Sequence, residues 1–279
     1  MYQISNIYKI VPNFKIIFCD LWGVIHDGSN LYPGVKEFLI FCQRQNIKVI
    51  FVSNAPRRSS EAIKILEKFQ IERELYLAMV TSGETFYHEA TEDFSYKRCF
   101  IIAPNRDLNQ LDGLNFNFVE DLNEAEFIVN MGYYNSEFKN EGLETILKAA
   151  AKLNLPMYCL NPDLIVVKQT GETLLCAGDL AQKYQALGGE VIYYGKPYQN
   201  IYQFAYDIYA NATPKQQICM LGDSMHTDIK GANDFGIKSC LVLQGILNKT
   251  LSENFENNMN NLIKQYKAQP DFLINDLLP

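Results

Sequence analysis

A few acidic, hydroxyl and amine side chains in this sequence could carry out chemistry on a phosphate. Each of them lies at the carboxyl end of a short apolar run, where a strand would end. Three carboxylates with few other polar groups nearby form an oxygen-ligand site for a hard cation, most simply Mg²⁺. A lysine and a serine hydroxyl could hold the non-bridging phosphoryl oxygens, and a carboxylate could attack the phosphorus. These residues are Asp20, Ser53, Lys196, Asp223 and Asp228.

The pattern around these residues predicts an open sheet of parallel strands. Short β-branched runs alternate with stretches whose apolar residues recur at helical spacing, as Ile201, Phe204, Ala205 and Ile208 do. Such alternation is typical of β-α-β units. In an open α/β sheet the carboxyl ends of the strands converge on one crevice, so residues over 200 positions apart are expected to meet there. The predicted strands are 15–20, 48–53, 78–82, 99–103, 126–130, 156–160, 190–194, 217–221 and 239–243.

The composition excludes several classes of protein. Of the 279 residues, 48% are hydrophobic and 20% are charged, which is enough apolar material for a sizeable core. A net charge of −7 gives no general electrostatic reason to bind nucleic acid or an anionic membrane. No run approaches the roughly 18 apolar residues of a membrane span, and no signal peptide is expected at the start. The seven widely spaced cysteines predict buried, reduced thiols and a cytoplasmic location.

The ordered set of Asp20, Ser53, Lys196, Asp223 and Asp228 resembles the four motifs of the haloacid dehalogenase (HAD) superfamily. More narrowly, the chain is similar over nearly its whole length to subfamily IIA, the NagD-like and p-nitrophenylphosphatase-like group. The resemblance implies an α/β fold, in which a Rossmann-like core with a parallel sheet carries an inserted α/β cap of the C2 type. The implied core comprises residues 1–85 and 188–279, with the cap at 86–187. Further similarity lies in Val52–Arg57, Asn161–Asp163, Gly195–Pro197 and Gly222–Ile229.

The same resemblance implies a set of metal ligands and a nucleophile. Asp20 would attack the phosphorus and also bind the metal, which is Mg²⁺ in this family. Asp223 would be a metal ligand, and Asp228 would be a second carboxylate at or near the metal. The family uses the backbone carbonyl of the residue at the position of Trp22 as a further ligand. The implied reaction is hydrolysis of a phosphate ester through an aspartyl-phosphate on Asp20.

Roles in holding the substrate follow from the resemblance as well. Ser53 and Lys196 would bind the phosphoryl group during catalysis, with Asn54 beside it. Asn161 and Asp163 would lie on the cap loop that faces the substrate. The expected partner is a small phosphorylated metabolite, with neither nucleic acid nor a membrane. The 13% aromatic content leaves room for a homodimer.

Trp22 departs from the pattern of this family. In its phosphatases the first motif is Asp-x-Asp, and the second Asp protonates the leaving oxygen, whereas this chain has Trp22 there. Losing a positioned general acid typically costs about 10²–10⁴ in rate. The alternative function is therefore a weak or inactive HAD-like protein that binds a phosphorylated ligand. His26 and Asp27 are candidates to replace the acid, although Asp27-Gly28 is also a typical hairpin turn.

Overall fold

The computed structural model describes residues 4–93, 97–134, 142–167, 170–244 and 254–279. Strands and helices alternate along most of these ranges, as the apolar pattern predicts. Each of the nine predicted strands is present, with bounds shifted by one or two residues at most. The strands are β1 (Ile4–Ser5), β2 (Ile16–Cys19), β3 (Lys48–Ser53), β4 (Ala78–Thr81), β5 (Arg98–Ile102), β6 (Asn117–Phe118), β7 (Phe127–Asn130), β8 (Met157–Cys159), β9 (Ile165–Val167), β10 (Thr173–Leu175), β11 (Val191–Tyr193), β12 (Ile218–Gly222), β13 (Lys238–Val242) and β14 (Phe272–Ile274).

The helices arise from amphipathic stretches that bury one face. In the second of them, Val35, Phe38, Leu39 and Cys42 recur at helical spacing and all four are buried. The buried face therefore decides how each helix packs on its sheet. The helices are α1 (Ile7–Ile10), α2 (Val35–Arg44), α3 (Ser59–Lys68), α4 (Ser82–Asp93), α5 (Leu143–Lys152), α6 (Ala177–Ala186), α7 (Gln199–Tyr209), α8 (Lys230–Phe235) and α9 (Phe255–Tyr266).

The larger sheet has seven strands in the order β1-β14-β13-β12-β2-β3-β4, and its pairings are parallel. Cys19 of β2 lies opposite Leu221 of β12 on one side and opposite Phe51 of β3 on the other. The ends of these three adjacent strands are therefore level with one another. This register brings Asp20, Ser53 and the residues after Gly222 to the same edge of the sheet.

This sheet is buried on both faces. Along β2, Ile17 and Cys19 belong to one buried cluster, whereas Ile16 and Phe18 belong to the other. The first cluster is completed by side chains from α2 and α3, and the second by side chains from α7 and α8. Burial on both faces explains why the strands read as continuous apolar runs rather than as alternating patterns.

A second parallel sheet is inserted in the chain between β4 and β12. Its five strands follow the order β11-β8-β7-β5-β6. Side chains of α4 contribute to the buried cluster on one face, and those of α5 and α6 contribute to the other. β9 and β10 form a separate antiparallel hairpin, in which Ile165 lies opposite Leu175. The architecture is the mixed α/β arrangement that the sequence predicts.

The division into domains at residues 85 and 187 stays a prediction. The predicted strand 190–194 falls within the expected second core segment, 188–279, whereas β11 pairs with β8 in the five-stranded sheet. An insert bounded by that sheet would therefore extend past residue 187, to the end of β11. All seven cysteines are free, and all but Cys176 are buried. Among the described residues, no helix has both the length and the apolar character that crossing a bilayer would need.

Candidate active site

A buried lysine between two carboxylates forms the centre of the site. Lys196 Nζ donates hydrogen bonds to Asp20 Oδ1 at 2.5 Å and to Asp228 Oδ1 at 2.7 Å. Lys196 is only 2% exposed, so its charge requires these partners. The three residues come from three separate parts of the chain, which the strand ends bring together as expected from the sequence.

Burial and charge act on these groups in opposite directions. Burial raises the pKa of Asp20, and Lys196 counteracts only part of this effect, so the pKa lies at about 7. Burial also disfavours the charge on Lys196, but Asp20 and Asp228 outweigh it and raise the pKa of the amine. Lys196 is therefore a permanent cation at neutral pH, placed where a phosphoryl group would bring negative charge.

A third carboxylate completes a cluster whose chemistry fits a divalent cation. One oxygen each of Asp20, Asp223 and Asp228 lies within 4.8 Å of the others, and all three residues are buried. With the carboxylates ionised, Lys196 balances one of three negative charges, and a divalent cation would balance the remaining two. Carboxylate oxygens are also the ligands that Mg²⁺ prefers in proteins. The additional carbonyl ligand from Trp22 stays a prediction.

Two glycines let these carboxylates approach neighbouring backbone. A Cβ at Gly23 would lie 2.1 Å from Asp223 Oδ2, and a Cβ at Gly222 would lie 2.1 Å from Asp228 Cγ. Gly23 also has φ +91°, a conformation that residues with a Cβ rarely adopt. Asp223 thus packs directly against the loop after β2, and Asp228 packs directly against the end of β12. This role of the two glycines was not predicted from the sequence, although their position near strand-end carboxylates could have indicated it.

The end of β3 supplies a hydroxyl and an amide to the site. Ser53 is buried, and its Oγ accepts a hydrogen bond from the backbone N–H of Ala55 at 3.2 Å. That hydroxyl still has its own proton to donate to a phosphoryl oxygen. The Asn54 side chain makes two hydrogen bonds to the backbone of Lys196. Its Oδ1 accepts from the Lys196 N–H at 2.6 Å, and its Nδ2 donates to the Lys196 carbonyl at 3.0 Å. Asn54 therefore positions Lys196, and its contact with substrate stays a prediction.

The loop after β8 reaches the core through one of its two predicted residues. Asp163 Oδ1 accepts a hydrogen bond from Asn54 Nδ2 at 2.9 Å. Burial raises the pKa of Asp163 to about 6, against the opposing effects of Lys196 and Asn54. Asn161 instead folds its own loop, because its Oδ1 accepts from the backbone N–H of Asp163 at 3.0 Å. The structure thus brings Asp163 to the site, whereas the described hydrogen bonds of Asn161 are with other residues of the inserted segment.

The Trp22 side chain extends from the core to the inserted sheet region. Its indole Nε1–H donates a hydrogen bond to the carbonyl of Val167 in β9 at 3.0 Å. The ring also lies over Gly28, where a Cβ would be 2.7 Å from the indole. Trp22 therefore offers no acidic proton where the family has its general acid, and its polar group binds the cap.

Neither candidate replacement for the acid is arranged as a donor to the leaving group. Asp27 Oδ1 accepts hydrogen bonds from the backbone N–H groups of Ser29 and Asn30, as in a turn. His26 Nδ1 accepts a hydrogen bond from the Gly28 N–H, and burial lowers the pKa of this imidazole to about 4. His26 is consequently neutral at pH 7. These contacts favour the turn interpretation of this segment.

Comparison with known families supports the motif assignment. Residues 17–117 match the family described as Haloacid dehalogenase-like hydrolase, and residues 193–278 match one described as HAD-hydrolase-like. A curated relative, the chloroplastic phosphoglycolate phosphatase 1A of Arabidopsis thaliana, is 22% identical over 97% of this chain and 77% of its own length. The two family matches together contain Asp20, Ser53, Lys196, Asp223 and Asp228.

Solved structures of similar proteins share the whole architecture. A haloacid dehalogenase-like hydrolase from Brucella suis is 28% identical, with a TM-score of 0.83 over 99% of this chain and 100% of that one. A p-nitrophenyl phosphatase from Archaeoglobus fulgidus is 23% identical, with a TM-score of 0.73 over 95% and 97% of the two chains. A glycerol phosphate phosphatase from Mycobacterium tuberculosis, solved in complex with magnesium, is 19% identical, with a TM-score of 0.70 over 99% and 78%.

The motifs, the fold and these comparisons agree with one another. The ordered strand-end residues meet in one buried cluster, the inserted sheet lies between the two segments that form the larger sheet, and both segments match the same kind of hydrolase. The chain therefore belongs to the haloacid dehalogenase superfamily of hydrolases, and its fold agrees with the resemblance to the NagD-like and p-nitrophenylphosphatase-like subfamily IIA.

Proposed function

We propose that this protein is a Mg²⁺-dependent phosphatase that acts on a small phosphorylated metabolite, with Asp20 as the nucleophile. The observation that carries the proposal is the buried cluster in which Lys196 contacts Asp20 and Asp228, with Asp223 alongside. Relatives named as phosphoglycolate, p-nitrophenyl and glycerol phosphate phosphatases support the reaction class. The magnesium in one of those structures supports the choice of cation. A cytoplasmic location and a homodimer stay predictions from the sequence.

In the first half of the reaction the protein orients the phosphoryl group for attack. Lys196 and the Ser53 hydroxyl would hold the non-bridging oxygens as charge spreads over them. The Asp20 carboxylate, held by Lys196 at one oxygen, would form the new bond to phosphorus while the bond to the leaving oxygen breaks. A Mg²⁺ held by Asp20, Asp223 and Asp228 would supply the charge that balances the phosphate in this acidic site.

In the second half, water hydrolyses the aspartyl-phosphate on Asp20. The group that protonates a leaving oxygen in the first half would, by microscopic reversibility, activate this water, and Trp22 can do neither. Leaving groups that depart as stable anions should therefore react best: acyl phosphates, phosphoanhydrides and aryl phosphates. The aspartyl-phosphate should also persist longer than in an enzyme that has the acid.

The second candidate function is binding of a phosphorylated ligand with negligible turnover. The observation that favours it is the side chain of Trp22, whose one polar hydrogen, on the indole nitrogen, is donated to Val167. Such a protein would retain Lys196 and Ser53 as phosphate ligands but would not release product. It would bind inorganic phosphate in calorimetry and yet hydrolyse none of the activated phosphates.

A substrate series separates the two functions. Turnover of acetyl phosphate, p-nitrophenyl phosphate and glycerol phosphate should be measured with Mg²⁺ and after its removal with a chelator. We expect Mg²⁺-dependent hydrolysis of the first two, little hydrolysis of the third, and no activity in Asp20→Asn. If wild type and Asp20→Asn are equally inert towards all three while phosphate binds, the phosphatase proposal is wrong and the binding function stands.

A further inference from the structure

The hydrogen bond from Trp22 joins segments that are far apart in the chain. Trp22 follows Asp20 by two residues, on the loop after β2, and its partner Val167 is 145 residues further on. At 3.0 Å between the indole nitrogen and the carbonyl oxygen, this is an ordinary N–H···O bond. It is a bond between the core and the cap that an ionised carboxylate at position 22 could not make, because it has no hydrogen to donate.

Two further contacts hold the Trp22 ring in place. The ring lies so close to Gly28 that a Cβ there would be 2.7 Å from it, and Gly28 has φ +88°. The His26 ring meets the indole edge to face, with 5.8 Å between the ring centroids. The loop after β2 is thus built around this side chain, which indicates a fixed indole rather than a freely rotating one.

The partner of Trp22 belongs to a small, partly exposed element. β9 and β10 form a two-stranded sheet that is not part of the five-stranded one. Ile165 and Leu175, which face each other across it, are 36% and 52% exposed. A two-stranded hairpin is marginally stable by itself, so a bond to the core helps to fix its position.

The segment Asp163–Val167 is attached to the core at both ends. Asp163 accepts from Asn54, which follows β3, and Val167 accepts from Trp22, which follows β2. Because β2 and β3 are adjacent strands, the segment crosses the edge of the sheet at which Asp20 and Ser53 lie. A substrate's leaving group would therefore have to fit beneath this segment or displace it.

We infer that Trp22 is a positioning residue, whose indole N–H fastens the hairpin of β9 and β10 across the site and thereby limits the size of the leaving group. At the position of the general acid in related phosphatases, this chain has a residue that joins the core to the hairpin. We call the hydrogen bond from Trp22 to Val167 the tether. The size limit rests on the proposed phosphatase function, whereas the tether itself does not.

The tether can be tested directly because Trp22 is the only tryptophan. A ¹⁵N-labelled sample gives a single indole N–H signal in a TROSY spectrum, and its exchange with solvent reports this one bond. We expect exchange at least about tenfold slower than in a free indole, since the proton is bound and the ring is packed. Exchange at the free-indole rate would overturn the tether, whatever the protein's activity.

The consequence for the hairpin is tested with Trp22→Phe, which keeps a ring and removes the N–H. The backbone amides of β9 and β10 should exchange about threefold to tenfold faster, as expected for the loss of one hydrogen bond. Tyr193→Phe is the matched control, because it removes a 2.8 Å hydrogen bond to Gln185 within the cap and leaves the tether intact. If Trp22→Phe changes the exchange of the hairpin no more than the control does, Trp22 does not position it.

Kinetics test the size limit. In Trp22→Phe, the ratio of kcat/KM for p-nitrophenyl phosphate to kcat/KM for acetyl phosphate should rise by about threefold or more, because one restraining bond is lost. The change should lie in KM. An unchanged ratio, with the hairpin exchange altered, would reject the size limit alone. Absence of all turnover would count against the phosphatase function and would leave the exchange results to decide on the tether.

Discussion

Lys196 is the residue on which the electrostatics of the site depend. Its amine is buried and charged, and it is stable there only because Asp20 and Asp228 approach it from the segments that follow β2 and β12. Removing one partner of such a buried pair typically costs about 3–5 kcal/mol, because an uncompensated charge remains. Lys196 therefore affects both the stability of the core and the proposed catalysis.

Restoring an acid at position 22 should restore the missing proton transfer. In Trp22→Asp we expect hydrolysis of glycerol phosphate, whose leaving group needs a proton, to rise by about 10²–10⁴ relative to Trp22→Asn. Both variants lose the indole, and their side chains have nearly the same size, so the comparison isolates the acidic proton. Steady-state kinetics measure it. Equal rates in the two variants would show that the absent acid is not what limits this enzyme.

Gly23 should be required for metal binding, because Asp223 occupies the space of its absent side chain. Gly23→Ala should weaken Mg²⁺ binding by about tenfold or more, as displacement of a ligand carboxylate does. Gly188→Ala is the matched control. Gly188 has φ +89°, but a Cβ there would have no atom within 4 Å, so this substitution has only the conformational cost of the positive φ. Isothermal titration calorimetry gives both affinities. A Gly23→Ala variant that binds Mg²⁺ as the control does would contradict this role.

The residues that could be predicted from sequence are those whose position follows from a strand end. Asp20 and Ser53 belong to this class, because parallel strands of matched register bring their ends together. The contacts of Trp22 with Val167 and of Asn54 with Asp163 could not be predicted. They join loops of the core to loops of the cap, where no period relates one residue to the other.

At the scale of elements, the loop that follows β2 is ordered by backbone contacts. Gly23 N–H donates to the His26 carbonyl at 3.0 Å, and Gly28 N–H donates to His26 Nδ1 at 2.9 Å. His26 packs between the rings of Trp22 and Phe69. The imidazole thus fills the interior of the loop as a neutral ring.

Burial of His26 makes the stability of the protein depend on pH. Its pKa is about 4 in the folded protein, against an ordinary value of 6.5, so below pH 6.5 the unfolded chain binds a proton that the folded one does not. Stability should therefore fall with falling pH, by about 2 kcal/mol from this group between roughly pH 7 and 5.

His26→Asn is the variant that checks this, because its side-chain oxygen can still accept from Gly28 and does not titrate in this range. Urea unfolding at the two pH values gives the change in free energy for each protein. The wild type should lose more stability on acidification than the variant does. Equal losses would mean that another group accounts for the pH dependence.

Some strands, like some of the site residues, could be predicted from the sequence, and others could not. β2, β3 and β12 are long enough and buried enough to be predicted from their apolar runs. β9 and β10 have three residues each and are partly exposed, so they carry no such pattern and were not predicted. β11 was predicted as a strand, but its apolar run could not show which of the two sheets it joins.

At the scale of the whole molecule, a net charge of −7 is compatible with phosphate chemistry because the charges are locally arranged. Three buried carboxylates face one buried ammonium, which leaves the site with excess negative charge until a cation binds. Folding has to overcome this repulsion. The fold should therefore be more stable when the metal is present.

Thermal unfolding with and without Mg²⁺ measures how much the metal stabilises the fold. At an Mg²⁺ concentration about 100 times its dissociation constant, stability should rise by about 3 kcal/mol, which corresponds to a rise of roughly 5 °C or more in Tm. Asp223→Asn should abolish most of the rise, because it removes one carboxylate ligand and leaves the ion pairs of Lys196 with Asp20 and Asp228 in place. A rise of the same size in that variant would place the cation elsewhere.

The proposed reaction depends above all on phosphorylation of Asp20. Wild type and Asp20→Asn should be mixed with acetyl phosphate and Mg²⁺, quenched rapidly in acid, digested, and analysed by peptide mass spectrometry. We predict a phosphoryl group on the peptide that contains Asp20 in the wild type, at high occupancy because no acid at position 22 speeds its hydrolysis, and none in Asp20→Asn. Hydrolysis of acetyl phosphate by the wild type without any phosphoryl group on Asp20 would contradict the role of Asp20 as the nucleophile.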